Sequence, residues 1–224
     1  MVKVKICGLM REEDVLLCGK LGVDIAGFVA EYPLPVPWNL TRSRVRALME
    51  LAEGPMKTCL VTGGEREAVL ELVKSLAPDY VQLHYRETLE DTRRITAALA
   101  PLGTGVIKTL PLDGEERLRQ FGKRDLETCV GLLEEAGVSA LLVDSRGPKN
   151  AASGGERVDS GLFERVKASA RIPVILAGGI TPENAREVTA ALGPEMVDVM
   201  TGVESSPGVK RETALRALLK ELGR

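Results

Sequence analysis

The sequence contains few aromatic residues and a single histidine. Phe, Trp and Tyr make up 3% of its 224 residues, and the one histidine is His84. A lone histidine argues against a His-rich metal site and against a Ser-His-Asp triad. The scarcity of aromatic rings also means that the core must be aliphatic, as in parallel strands that helices cover on both faces.

The cysteines show no pairing pattern. Cys7, Cys18, Cys59 and Cys129 are far apart in the sequence, and no CxxC motif occurs. This spacing argues against a disulfide framework and against a zinc site, and it predicts a reducing, cytoplasmic location. We therefore expect no metal.

Long apolar runs and an excess of one charge are absent as well. No stretch approaches the ~20 apolar residues of a membrane span. Met1 leads directly into the apolar-rich residues 2–6 without the basic segment of a signal peptide. Lys and Arg number 30 against 32 Asp and Glu, a formal net charge of −2. We therefore expect neither a membrane protein nor a nucleic-acid-binding protein.

What the sequence does contain is a regular alternation of short aliphatic runs and longer helical stretches. It predicts strands near residues 2–7, 24–30, 57–62, 80–84, 105–110, 140–144, 173–178 and 196–201, and helices near 12–21, 42–52, 65–76, 89–100, 123–136, 160–170, 182–192 and 211–222. Eight βα units without an antiparallel hairpin signal indicate a closed (β/α)₈ TIM barrel with a parallel eight-stranded sheet rather than an open doubly wound sheet. No linker interrupts the pattern, so we expect one domain over residues 1–224.

Local signals refine this pattern. Thr41 is predicted to cap the second helix, and Thr181 is predicted to cap a helix that starts at Pro182. Residues 111–122, after strand 5, are predicted to form a long loop. Residues 145–159, after strand 6, combine glycines with Arg146, Lys149 and Arg157. That composition suits a lid over an anion, but it is also what any exposed loop contains.

Two reactive side chains end predicted strands, where a barrel of this kind places its chemistry. Cys7 follows strand 1, where neighbouring cations could lower its thiol pKa and make it a base or a nucleophile. The alternative for Cys7 is a small buried hydrophobe. Asp144 ends strand 6 after four apolar residues and is either a general acid or base or the cap of the next loop. Asp198, inside strand 8, is expected to have a structural role such as an ion pair.

Three further positions suit a ligand at the same ends of the strands. Gly178-Gly179 follow strand 7 and Thr201-Gly202 follow strand 8, where barrels bind phosphate through backbone N–H groups. The alternative is that these glycines only make tight turns. His84 closes strand 4 and is either a binding or catalytic group or a satisfied structural one.

Several blocks in this order resemble the phosphoribosylanthranilate isomerase family of tryptophan biosynthesis. The similar blocks are Lys5-Ile-Cys-Gly-Leu9, Val81-Gln-Leu-His84, Leu141-Leu-Val-Asp-Ser145, residues 176–184 around Ala177-Gly178-Gly179, and residues 197–210 around Gly202-Val203-Glu204. They span essentially the whole chain. The first and last blocks are specific, whereas the Ala-Gly-Gly turn is shared by many phosphate-binding barrels.

The resemblance implies a cofactor-free Amadori rearrangement of N-(5′-phosphoribosyl)anthranilate to the carboxyphenylamino-deoxyribulose phosphate. It implies that Cys7 is the general base and Asp144 the general acid. It also implies that Gly178, Gly179, Thr201 and Gly202 cradle the phosphate. The expected partner is a small sugar phosphate, and the chain is expected to be a monomer or a homodimer.

The sequence departs from the family pattern at the end of the site that would receive the aromatic acid. After strand 2 the family has a Ser-Pro-Arg segment, but Pro37 and Trp38 stand there and the arginine is missing. After His84, Tyr85 and Arg86 replace a glycine and an acidic residue. We expect Trp38, Arg86 or Arg157 to re-form the anthranilate site. Arg42 and Arg44 are weaker candidates because both are predicted to lie on the next helix.

Two other hypotheses stay open at this point. The first is a paralogous barrel isomerase that acts on another phosphorylated aminosugar, since a buried carboxylate without a charged partner is costly. The second is a non-catalytic phosphate-ligand binder, which would need neither Cys7 nor Asp144.

Overall fold

A closed parallel barrel of eight strands is present in the computed structural model, which describes residues 1–144 and 160–224. The strands are β1 (Lys3–Ile6), β2 (Ile25–Val29), β3 (Lys57–Thr62), β4 (Tyr80–Leu83), β5 (Gly105–Thr109), β6 (Ala140–Asp144), β7 (Val174–Ala177) and β8 (Met196–Val199). They are hydrogen-bonded in sequence order, and β1 closes the ring against β8. The predicted TIM barrel is confirmed, with strand ends that differ from the predictions by at most two residues.

Helices connect the strands and cover the outside of the barrel. They are α1 (Glu12–Lys20), α2 (Arg42–Met49), α3 (Arg66–Leu76), α4 (Leu89–Leu99), α5 (Gly114–Phe121), α6 (Leu126–Glu135), α7 (Ser160–Ser169), α8 (Ala185–Leu192) and α9 (Glu212–Glu221). Thr41 caps α2 as predicted, because its hydroxyl accepts a hydrogen bond from the Arg44 amide. No helix within the described residues is long and apolar enough to cross a membrane.

Two local predictions were wrong. Residues 111–122 are not a loop throughout, because α5 lies within them and the Asp113 side chain caps it by accepting from the Glu116 amide at 2.9 Å. The helix expected from Pro182 begins only at Ala185. The Thr181 carbonyl, not its side chain, accepts hydrogen bonds from the next turn, so Thr181 is no N-cap.

A short antiparallel hairpin of β9 (Glu204–Ser206) and β10 (Val209–Lys210) follows β8. This hairpin was not predicted, because no antiparallel hairpin signal was recognised in the sequence. A 3₁₀ turn over Thr201–Val203 joins β8 to this hairpin. Together they place Glu204 and Lys210 beside the mouth of the barrel.

The barrel strands alternate between two environments, since successive side chains on a strand point to opposite faces. Val4 and Ile6 face the helices and belong to the large core between barrel and helices. Inside the barrel, a lower apolar layer contains Ile25, Cys59, Ile107, Ala140, Leu142, Ile175 and Ala177. A second interior cluster, around Cys7, lies at the mouth. The filled interior leaves the C-terminal ends of the strands as the place for a ligand.

Candidate active site

Cys7 lies at the mouth of the barrel, directly after β1. Its residue surface is only 5% exposed, and it packs with Val29, Val61 and the partly buried rings of Tyr32 and Trp38. The backbone after Cys7 turns at Gly8, which has a φ of +69°. The thiol is therefore held in a mostly apolar pocket at the end of the barrel where chemistry is expected.

The pKa of Cys7 differs from the expectation. Burial raises the pKa of the thiol above its ordinary value, and the positive charges of Lys5 and Lys210 lower it without offsetting the burial. The expected net lowering is wrong because desolvation penalises the thiolate more than these cations favour it. To act as a base, Cys7 has to lose its proton against this desolvation.

A buried ion pair lies inside the barrel, next to Cys7. The Lys5 ammonium donates to the Asp198 carboxylate at 2.8 Å, and the two side chains are 0% and 8% exposed. The structural role expected for Asp198 is thereby confirmed. Lys5 was missed as a functional candidate, although a lysine within an apolar strand was a signal, since lysine is rarely buried without a partner.

Asp144 ends β6, on another part of the same rim. Its residue surface is half-buried. Only β7 and β8 separate β6 from β1 on one side of the ring. The negative charge of Asp144 acts to raise the pKa of His84, so these two groups lie close enough to interact. The structure thus places Cys7 and Asp144 at the same mouth, at the ends of different strands.

His84 is fixed between two polar neighbours. Its Nδ1 lies 2.8 Å from the Thr109 hydroxyl and 3.0 Å from the Gln82 amide nitrogen. Burial lowers the pKa of His84 below its ordinary value, so the ring is neutral at pH 7. In residues 1–144 and 160–224, no group of three or more His, Cys, Asp and Glu side chains could hold a metal ion.

The two glycine loops after β7 and β8 contact each other. A Cβ atom on Gly202 would lie 1.9 Å from the carbonyl oxygen of Ile180, so only glycine fits at this crossing. Gly178 and Gly179 adopt φ values of +89° and +63°. Within the described part of the chain, the backbone amides of Gly179 and Gly202 donate to no acceptor. Two free amides in adjoining turns suit an anion such as phosphate.

Asn184 braces the first of these loops, a role that was not predicted from the sequence. Its side-chain oxygen accepts from the Thr181 amide at 2.9 Å, and its side-chain nitrogen donates to the Gly179 carbonyl at 2.8 Å. The asparagine three residues after Thr181 was the available signal, since this spacing allows a local side chain to backbone bond.

Trp38 comes from the proline-rich segment after β2 and lies against Gly8 and Met200. Its indole nitrogen donates to Glu204 at 3.0 Å. Glu204 in turn pairs with Lys210 at 2.6 Å, and both of their side chains are almost fully buried. The Lys210 ammonium also donates to the Cys7 carbonyl. The segment after β2 is therefore connected to the hairpin after β8 directly above Cys7.

The candidate arginines lie further out. Arg86 has a 70% exposed side chain, pairs with Glu116 at 3.5 Å and lies over the ring of Tyr85. Arg42 and Arg44 are on α2, as expected, and pair with acidic residues of other segments, Arg42 with Glu31 and Glu71 and Arg44 with Glu12. Arg157 and the proposed lid are outside the described residues. The structure therefore brings Trp38 to Cys7 but leaves Arg86 at the rim.

Comparisons with known proteins give this arrangement its context. The family model described as N-(5′-phosphoribosyl)anthranilate (PRA) isomerase matches residues 4–221. The N-(5′-phosphoribosyl)anthranilate isomerase of Haloferax volcanii is 33% identical over 220 residues, which cover 98% of this chain and 92% of that protein.

Solved structures with a similar fold carry the same name. The phosphoribosyl anthranilate isomerase of Thermotoga maritima is 28% identical with a TM-score of 0.82, and the match covers 100% of this chain and 99% of that one. A phosphoribosyl anthranilate isomerase in complex with reduced 1-(o-carboxyphenylamino)-1-deoxyribulose 5-phosphate is 27% identical with a TM-score of 0.78, over 100% and 99% of the two chains. The match is full-length in sequence and in fold, and the chain therefore belongs to the N-(5′-phosphoribosyl)anthranilate isomerase family.

Proposed function

We propose that this chain converts N-(5′-phosphoribosyl)anthranilate to 1-(2-carboxyphenylamino)-1-deoxyribulose 5-phosphate without a cofactor. The observation that carries the proposal is the placement of Cys7 and Asp144 at one barrel mouth, beside two interlocking glycine loops. The full-length match to enzymes named for this reaction supports it. In this proposal residues 1–224 act as one barrel domain, as a monomer or a homodimer.

Asp144 and Cys7 divide the proton transfers of the reaction. Asp144, in its protonated form, donates to the ribose ring oxygen, and the bond from that oxygen to C1′ breaks to give an open-chain iminium ion. The Cys7 thiolate then removes the proton from C2′, and the electron pair moves to form the enolamine. Gain of a proton at C1′ and loss of the 2′-hydroxyl proton complete the aminoketone. Two groups on different strands suit these steps because one group gives a proton where the other takes one.

The phosphate occupies the crossing of the loops after β7 and β8. The amides of Gly179 and Gly202 donate to the phosphate oxygens, with Gly178 and Thr201 shaping the two turns. Asn184 keeps the first turn in place. Backbone donors of this kind bind an anion without a charged side chain.

The aromatic end of the substrate packs on Trp38. Its indole nitrogen is already bonded to Glu204, so the ring offers apolar surface to the anthranilate ring beside Cys7. Aromatic pairs of this kind contribute about 0.5–1.5 kcal/mol beyond their buried area. His84, Arg86 and Arg157 stay predictions as partners of the substrate, with Arg86 placed at the rim and bonded to Glu116.

A steady-state fluorescence assay tests the proposal. Purified protein is given freshly generated phosphoribosylanthranilate under reducing conditions, and loss of the substrate is followed over time. We expect turnover on the order of 1 s⁻¹ or more. No turnover by folded protein that still binds inorganic phosphate would contradict the proposal and favour another phosphorylated aminosugar as substrate.

A further inference from the structure

Lys5, on β1, and Cys7, directly after β1, lie on the same inner side of the barrel. They are two residues apart on an extended strand, so both side chains point into the barrel. Lys5 lies deeper and is completely buried, whereas Cys7 is at the mouth. A cation is therefore positioned on the inner side of the thiol, away from solvent.

Gly27 on β2 makes room for this approach. A Cβ atom on Gly27 would lie 3.2 Å from the Cys7 Sγ, 3.2 Å from the Lys5 Nζ and 3.0 Å from the Cys7 Cα. Because both atoms lie 3.2 Å from the same point, the distance between the sulfur and the ammonium nitrogen is at most about 6.4 Å, the sum of the two distances. At such a separation inside a protein, a full charge strongly affects a neighbouring ionisable group.

Asp198 on β8 fixes the ammonium in this position. It lies opposite Lys5 in the register of the two strands, and the Lys5 ammonium donates to its carboxylate at 2.8 Å. Burial is the largest single influence on Lys5 and acts to lower its pKa, but the charge and hydrogen bond of Asp198, together with the nearby thiols of Cys7 and Cys59, outweigh it and the pKa is raised. Lys5 is therefore a permanent cation.

We propose that Lys5, anchored by Asp198, is a positioning residue that places a positive charge next to Cys7 and thereby favours its thiolate form. Lys5 contacts neither product nor substrate in this account and acts through Cys7. The inference rests on the proposed function, in which Cys7 removes the C2′ proton.

The other charges around Cys7 do not replace this effect. Among the influences that lower the thiol pKa against its burial, the charge of Lys5 is the largest, and it exceeds the opposing influence of Asp198. Lys210 has a smaller lowering effect, and its ammonium is already paired with Glu204. Cys59, on β3, contributes no charge at neutral pH, because burial raises the pKa of its thiol to about 12.

The test is the pH dependence of Cys7 alkylation by iodoacetamide, measured by mass spectrometry on the peptide that contains Cys7. We compare the wild type with K5R, which keeps the cation, and with K5Q/D198N, which removes both charges together. A second neutral pair, K5M/D198N, serves if the first does not give a cooperative thermal unfolding transition. We expect the alkylation midpoint of the neutral pair to rise by about one pH unit or more and that of K5R to stay near the wild type.

Turnover supplies the second readout. In the neutral pair we expect kcat at pH 7 to fall about tenfold or more, with partial recovery as the pH rises, while KM stays within about threefold. A midpoint for Cys7 that is the same in the wild type and in the folded neutral pair would overturn the proposal. Alkylation does not depend on turnover, so failure of the proposed function, seen as unchanged activity in Cys7→Ser, is distinguishable from failure of this inference.

Discussion

The indole nitrogen of Trp38 donates a hydrogen bond to Glu204 at 3.0 Å and so joins the segment after β2 to the hairpin after β8. Because β2 and β8 are the two neighbours of β1 in the ring, this bond bridges the end of β1, next to Cys7. Trp38 is also the single tryptophan of the chain, so it is both a wall of the site and its intrinsic fluorescent probe. The fluorescence of Trp38 therefore reports directly on the end of the site where the sequence departs from the family pattern.

Trp38→Phe keeps an aromatic ring beside Cys7 but removes the bond to Glu204. A hydrogen bond to a charged group contributes about 1.5–3 kcal/mol. We expect KM for phosphoribosylanthranilate to rise about tenfold with a smaller fall in kcat, measured by steady-state kinetics. Leu34→Ala, on the same segment but with 47% of its surface exposed, is the matched control and should leave KM unchanged. Equal kinetics in the wild type and Trp38→Phe would show that Trp38 does not shape the site.

Gly202→Ala should weaken the binding of phosphate. The added methyl group would lie 1.9 Å from the Ile180 carbonyl oxygen, so the loops after β7 and β8 have to separate. We expect KM to rise about tenfold or more and the affinity for inorganic phosphate to fall with it.

Gly131→Ala is the control for this change. Gly131 lies within α6, and a Cβ atom there would meet nothing within 4 Å. We expect unchanged kinetics and a gain in stability of about 0.5–1 kcal/mol. Equal loss of phosphate affinity in both glycine variants would remove the argument for the loop crossing.

The ion pair of Lys108 and Glu87 should be important for stability. The two side chains are completely buried 2.7 Å apart, and Glu87 also accepts from the Gly64 and Tyr85 amides. Lys108→Met leaves an unpaired buried carboxylate and should lower the free energy of unfolding by about 3–5 kcal/mol in urea titrations. The double variant Lys108→Met/Glu87→Gln should lose much less free energy of unfolding than Lys108→Met alone. If Lys108→Met alone is as stable as the wild type, this account is contradicted.

His84 should make unfolding depend on pH. Its pKa is lowered by burial in the folded chain, so the unfolded chain binds a proton there first as the pH falls below about 6.5. The stability from neutral His84 is complete above that pH and is lost as the pH drops towards the folded pKa. His84 is the only histidine, so His84→Gln isolates this effect. We expect the variant to lose less free energy of unfolding than the wild type between pH 7.5 and 5.5; equal losses would contradict the expectation.

The barrel itself was predictable because its signals are local. Aliphatic runs such as Ala140–Asp144 are recognisable as buried strands, and Thr41 is recognisable as a cap. Helix α5 was missed because Pro111 and Gly114 resemble loop residues. The Asp113 cap, with Glu116 three residues later, was a local signal that was overlooked, whereas the burial of Phe121 depends on packing.

The charged groups of the site were less predictable. Cys7 and Asp144 were found because they end strands, and the resemblance gave them roles. Lys5 was not found, since its importance depends on a partner that lies 193 residues later in the sequence, Asp198. The thiol pKa was misjudged for the same reason, because the degree of burial at Cys7 is a property of the closed barrel.

The central claim is that Cys7 and Asp144 carry out the proton transfers, and turnover of Cys7→Ser and Asp144→Asn tests it most directly. Cys59→Ser is the control, because Cys59 is also a buried thiol inside the barrel but lies below the mouth. We predict that both site variants lose kcat by a factor of about 10² or more while keeping their affinity for inorganic phosphate, and that Cys59→Ser stays active. Wild-type turnover in Cys7→Ser and Asp144→Asn would contradict the account.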